Sequence, residues 1–257
     1  MNEIRPSLTS PAAAGPDSVE WRLRVELAAC YRLVAKYRMT DTVYTHISAR
    51  LPGPERHFLI NPYGLMWEEI TASNLVKIDL EGRKVAASPY DVNAAGFTIH
   101  SAIHMGRSDV VCVLHTHTRA GVAVSSLKDG LLPSNQFALQ FYGRVAYHDY
   151  EGIALDLDER QRIIASLGAH PTLILRNHGL LTVGRTVAEA FILMFYLERS
   201  CEVQLAIRAT GAEVLMPSPE VCAKVAAQSD MSDPAWALLP WDAMLRQLDR
   251  EDPSYKS

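Results

Sequence analysis

The feature that most constrains how this chain can fold is the run Asp109-Val-Val-Cys-Val-Leu114, which closes on His115-Thr116-His117. A short apolar run of this kind belongs inside a sheet, and side chains two apart on a strand share a face, so both imidazoles project together. That is half of a metal site. A third histidine stands in Arg176-Asn177-His178-Gly179, at the end of another strand-like run, Thr172 to Arg176. Three neutral imidazoles converging on one point suit Zn, Mn, Fe or Co, and open coordination positions would make such a site catalytic rather than structural.

The patterns around these motifs alternate between helix and strand. Leu23, Leu27, Cys30 and Val34 form the stripe of an amphipathic helix with Asp17 or Ser18 as its cap. Ile47 to Leu51 and Phe58 to Ile60 are short strands joined across Pro52-Gly53-Pro54, and Asn61-Pro62-Tyr63-Gly64 is a turn. A strand at Leu75 to Asp79, a turn at Glu81-Gly82 and a helix over Asn93 to Met105 lead into the His-Thr-His strand. Beyond it come a strand at Arg144 to Tyr147, a helix at Asp158 to Leu167 and a long helix from Val187 to Arg208, apolar enough to be buried on more than one side. Ligands at the C-terminal end of a strand that follows a helix lie where open α/β sheets place their sites. The chain reads as a flexible arm over 1–18 and one domain over 19–257. The C-terminal stretch of that domain, with Trp236, Leu238, Leu239, Trp241, Met244 and Leu248, is a candidate cover for a neighbouring subunit.

Composition removes several classes of function. A net charge of −4 gives no electrostatic reason to expect nucleic acid or an anionic membrane surface. No run approaches the length of a membrane helix, and the N-terminus has no secretory apolar segment. Cys30, Cys112, Cys201 and Cys222 are scattered without a CxxC pair, the expectation for a reduced, cytoplasmic protein.

Four pieces in order, Tyr44-Thr45-His46-Ile47-Ser48-Ala49-Arg50, Leu59-Ile60-Asn61-Pro62-Tyr63-Gly64, His100 with the His-Thr-His strand, and RNHGLLTVG at 176–184, resemble the class II aldolase/adducin family over roughly residues 20–210. The resemblance implies a three-layer α/β/α sandwich around a mixed, largely antiparallel sheet. It also implies a homotetramer with sites near subunit interfaces, and a divalent metal on His115, His117 and His178. The departures are informative. Where the family's sugar-phosphate aldolases carry a Ser-Ser-Glu run that binds phosphate and supplies a metal-ligating acid/base, this chain has Ala94-Ala95-Gly96. His46 stands where an Asn is usual and Tyr63 where a Thr is usual. A dismantled phosphate site points to a non-phosphorylated small-molecule substrate, and Tyr63, Phe97, Phe141 and Tyr142 would suit a flat or aromatic one.

Without the carboxylate, a three-histidine site keeps the full charge of its ion, so Lewis-acid chemistry survives while the family's proton shuttle does not. His46 is the first candidate to replace it, with Tyr63 beside it and the Glu68-Glu69 pair as a lesser one that reads more simply as a solvated helix start. His100 and His104, four apart on a helix, read as buried support rather than a second metal pair, and Gly179 as the residue whose freedom aims His178. Three functions are compatible with these residues. One is a Zn- or Mn-dependent carbon–carbon lyase, aldolase or decarboxylase; another is a three-histidine Fe(II) oxygenase; the third is a non-catalytic module like the adducin head.

Overall fold

The computed structural model describes residues 18–152 and 158–257. The arm expected over 1–18 lies outside them except for Ser18, and so do the side chains of 94, 95 and 97, which removes Phe97 from the discussion of the pocket.

The first helix, α1 (Val19–Lys36), begins at the cap its sequence provides: the Ser18 hydroxyl accepts the Trp21 N–H. Its stripe buries Leu27, Cys30 and Val34. Strands β1 (His46–Arg50) and β2 (Phe58–Ile60) pair antiparallel with Ser48 opposite Ile60, and β3 (Val76–Ile78) extends them outward. Helix α2 (Ala94–Gly106) delivers the chain to β4 (Cys112–Thr116), which lies antiparallel to β1 with His46 opposite His115. Short helices α3 (Arg119–Ser125) and α4 (Gln136–Leu139) follow. Then β5 (Val145–His148), α5 (Glu159–Leu167) and β6 (Thr172–Leu175) form a βαβ unit whose strands make the sheet's parallel pair. After β7 (Gly179–Gly184) the chain is helical in α6 (Val187–Ala209), α7 (Pro219–Gln228) and α8 (Leu238–Glu251).

The seven strands run β3-β2-β1-β4-β7-β6-β5, all neighbours antiparallel except β5 and β6. Alternation along each strand divides the molecule into three layers. Ile47, Ala49, Cys112, Leu114 and Leu180 face the layer of α1, α6 and α8 in one core. Val113, Leu173, Leu181 and Val183 face Ile99 and Ile103 of α2 and Ile163 and Leu167 of α5 in another. The expected α/β/α sandwich with a mixed, largely antiparallel sheet is the fold found.

Three expectations need correction. Residues 179–184 form a central strand, β7, whereas the sequence had them only as the tail of a site motif; the run Leu180 to Val183 is short and begins on a glycine, so it carries little strand signal of its own. Phe141 is 2% exposed and belongs to the core rather than to a pocket. The C-terminal stretch covers its own chain: Trp241 and Leu248 are buried in the α1/α6 core, Trp236 and Met244 pack against it, and only Leu238 and Leu239 stay exposed. No helix among the described residues is long and apolar enough to cross a membrane.

Candidate metal centre

Backbone geometry brings the three histidines together. His115 is the fourth residue of β4, and His117 lies one residue past the strand's end. His178 is delivered by a turn between β6 and β7 in which Asn177 takes φ 56°. The left-handed conformation at Asn177, a residue type that tolerates it, redirects the chain. Gly179 has a different role from the one its sequence suggests. Its backbone is not left-handed, but a Cβ there would meet the Thr116 carbonyl oxygen at 2.3 Å, so glycine is required for β7 to lie against the end of β4. Arg176 fixes the same turn from behind, donating to the Leu127 carbonyl at 2.7 Å and stacking on Tyr147.

The hydrogen bonds assign the protons. His115 Nδ1–H donates to the Leu180 carbonyl at 2.9 Å, and His117 Nδ1–H donates to the Asp41 carboxylate at 2.9 Å. Both Nε2 atoms are therefore bare lone pairs. Yet Nε2 of His117 lies 2.9 Å from Nε2 of His115 and 2.9 Å from Nε2 of His178. Two lone pairs at that range repel unless a cation lies between them. Nitrogens bound to one ion at about 2.0–2.1 Å stand roughly 3 Å apart, the spacing of His117 from each of the other two, and the three lie within 4.8 Å of one another. Among the described residues this is the group placed to hold a metal ion. The donors fit: burial first, and then the neighbouring imidazoles, holds His115 well below the usual histidine pKa. The same causes push His178 down to about 4, so both would offer neutral donor atoms at pH 7.

Asp41 is the residue that sequence reading missed. Its carboxylate fixes the tautomer and ring plane of His117, as a carboxylate behind a metal-binding histidine would. It sits in a strained loop: Arg38, Thr42 and Thr45 all have positive φ, of 59°, 50° and 63°. For β-branched threonine that conformation costs about 1–2 kcal/mol, and Thr45 immediately precedes His46. Strain of this kind concentrates where a site must be aimed.

His46, buried at 4% exposure, turns its ring toward α2 and His115, the two rings 5.4 Å apart. An ideal Cβ on Gly96 would fall 2.2 Å from His46 Cδ2 and 2.6 Å from its Nε2. The imidazole thus occupies the space that a side chain at 96 would need. Its Nδ1 lies 2.8 Å from Nε2 of His100, which with His104 forms a buried, hydrogen-bonded group and not a second metal pair. Tyr63 is not among the converging residues. It is 42% exposed on the rim, its ring 6.5 Å from that of Tyr44, while Tyr150 lies 6.4 Å from the ring of His178. Tyr142 is 38% exposed. Glu68 and Glu69 sit on an exposed turn, where Glu69 accepts the Met66 N–H.

Comparison with known proteins agrees with this fold. The chain is 53% identical over 237 residues, 92% of each chain, to a Caulobacter vibrioides protein named "Putative aldolase class 2 protein". It is 42% identical to alpha-adducin of Rattus norvegicus over 91% of this chain and 34% of that one. The solved structure of an aldolase II superfamily protein from Pseudomonas syringae superposes with a TM-score of 0.89 at 52% identity, covering 93% of this chain and 96% of that one. The Class II Aldolase and Adducin N-terminal domain family matches residues 25–205, and the chain belongs to that family.

Proposed function

We propose that the protein is a divalent-metal-dependent carbon–carbon lyase, an aldolase or decarboxylase, acting on a small non-phosphorylated substrate. One observation carries the reading: the bare Nε2 atoms of His115 and His117 stand 2.9 Å apart, with Nε2 of His178 2.9 Å from that of His117, an arrangement that suits a shared cation and that a scaffold has no reason to keep. A solved L-fuculose 1-phosphate aldolase from Glaciozyma antarctica PI12 is 30% identical with a TM-score of 0.82 over 97% of each chain, which supports cleavage of a carbon–carbon bond. The lack of side-chain hydroxyls at Ala94 and Ala95 and of a carboxylate at Gly96 argues against a phosphorylated substrate for this chain.

His115, His117 and His178 would hold the ion, zinc or manganese for lyase chemistry. When bound, it supplies Lewis acidity toward a carbonyl or carboxylate oxygen of the substrate. His46 faces the substrate from the position beside Gly96. Burial holds its pKa well below the usual value, so it works as a neutral imidazole. Tyr63, with Tyr44, closes the rim and favours a flat substrate. The assembly we propose is a cytoplasmic homotetramer, supported by four cysteines that are all buried and unpaired and by exposed Leu215, Leu238 and Leu239.

The test has two parts. Metal content of anaerobically purified protein should be about one zinc or manganese per chain; iron, together with turnover that requires O2, would instead favour an oxygenase. Protein incubated in D2O with pyruvate, hydroxypyruvate or dihydroxyacetone should exchange the hydrogens next to the carbonyl in a metal-dependent way, followed by proton NMR. No exchange with any of the three probes would count against the lyase.

A further inference from the structure

Behind His46 runs a chain of polar groups that the proposed chemistry does not yet use. His46 Nδ1 lies 2.8 Å from His100 Nε2, His100 Nδ1 lies 2.6 Å from the Ser48 hydroxyl, and Ser48 lies 2.7 Å from His104 Nε2. All four side chains are at most 4% exposed. The chain then stops: His104 Nδ1 is buried with no hydrogen-bond partner among the described residues, and the ring packs against Phe58 at 5.0 Å. A buried polar chain that leaves one atom unmatched is costly, and packing alone gives no reason to keep it.

The dead end decides the direction of every proton in the chain. Burial keeps His100 and His104 neutral, so each has one N–H and one bare nitrogen, and the nitrogen that His100 turns toward His46 decides where His46 carries its own proton. Two patterns satisfy the three contacts and also use the Ser48 proton; a third, in which Ser48 accepts from both His100 and His104, leaves its buried O–H without an acceptor among the described residues. In one, His46 Nδ1–H donates to His100, His100 Nδ1–H donates to Ser48, and Ser48 donates to His104 Nε2. His104 must then carry its proton on Nδ1, where a buried N–H finds no acceptor. In the other, His104 Nε2–H donates to Ser48, Ser48 donates to His100 Nδ1, and His100 Nε2–H donates to His46 Nδ1. His104 is then left with an unmatched lone pair, and the N–H left over is that of His46 Nε2, which is not among the fully buried atoms without a partner. Orphaned buried donors are rarer than under-satisfied acceptors, so the second pattern, which places the leftover N–H at the site and not in the core, prevails. It puts the proton of His46 on Nε2, the nitrogen that lies over Gly96.

We infer that Ser48, His100 and His104 are positioning residues that fix His46 as the Nε2–H tautomer, so that His46 meets the substrate as a hydrogen-bond donor to an oxygen that gains negative charge, and not as a base. No group changes its net charge in this assignment. The role of the donor rests on the proposed lyase reading; the tautomer does not. A neutral imidazole N–H aimed at a developing oxyanion stabilises it without delivering a proton, so the carboxylate lost at position 96 is replaced by an electrophile of opposite hydrogen-bonding sense.

The experiment is two-bond proton–nitrogen correlation NMR of the full chain labelled with 15N-histidine, with the His46 signals identified by their loss in His46→Gln. The wild type should show His46 protonated on Nε2. Ser48→Ala, which cuts the chain, should give a mixture of His46 tautomers. It should also lower deuterium exchange into the carbonyl probes by about tenfold, the smaller end of effects seen behind a site, with metal content unchanged. Ser48→Thr, which keeps the hydroxyl, should restore both. Should Ser48→Ala fail to fold, His104→Phe removes the far end of the chain and makes the same prediction. His46 protonated on Nδ1 in the wild type, or an unaltered Nε2–H tautomer in both cut variants, would overturn the inference. An Nε2–H tautomer that depends on Ser48, in a protein without any exchange activity, would uphold the positioning chain and sink the lyase reading instead.

Discussion

At His115 and His178 the consequence of substitution follows from the convergence of three imidazoles on one point. His115→Ala or His178→Ala should reduce bound metal from about one per chain to a trace, read by elemental analysis after dialysis, because two imidazoles without a carboxylate make a weak site. Asp41→Asn is the gentler probe. It removes the acceptor charge 2.9 Å from His117 Nδ1 while keeping the shape of the side chain, and should weaken metal binding about 10- to 100-fold in a competition titration with a chelator. An unchanged affinity would mean that the strained loop around Asp41 serves something other than the metal. The histidines could be named from spacing and motif, but Asp41 could not. It lies 76 residues from its partner and carries no local signature.

At the scale of elements, the contact between α2 and β1 decides which chemistry the fold allows. Because a Cβ at 96 would fall 2.2 Å from the His46 ring, Gly96→Glu should not restore the acid/base carboxylate of the sugar-phosphate aldolases. It should destabilise by about 1–3 kcal/mol through overpacking, measured by denaturant unfolding. His46→Asn with Gly96→Glu together should recover much of that loss, giving a coupling above about 0.5 kcal/mol in a double-mutant cycle; additive effects would show that His46 moves aside freely. The elements themselves were largely legible. The first helix, the pair of strands β1 and β2, the helix before β4 and the long α6 follow from periodicity to within one or two residues. The strand β7 was not, because a central strand that opens on Gly179 is recognised only when its neighbours β4 and β6 are known.

For the molecule as a whole, stability should depend on pH through groups away from the metal ligands. His100 and His104 are held below the ordinary histidine pKa by burial, the latter at about 3. Between there and 6.5 the unfolded chain therefore binds protons that the fold refuses, and stability falls as pH falls. Glu198, raised to about 7 chiefly by burial, acts in the opposite sense: between 4.5 and 7 the fold holds a proton that the unfolded chain lacks. The histidines outnumber Glu198, His46 acting in the same sense as His100 and His104, so on balance stability falls as pH falls below 6.5. The melting temperature should thus peak near pH 6.5, and Glu198→Gln should steepen the acid limb and raise stability at pH 8; an unchanged profile in that variant would refute the assignment. The sequence by itself determined the periodicities, the buried runs, the three ligand types and the absence of hydroxyls and carboxylate at 94–96, because these are properties of residue type and spacing along the chain. Only the tertiary structure decided that Asp41 stands behind His117, that the His46 ring fills the space over Gly96, and that the polar chain behind it ends without a partner at His104. Those facts are set by which strand lies beside which and how closely a helix approaches the sheet, and contacts between residues fifty or more positions apart leave no periodic trace in a single chain.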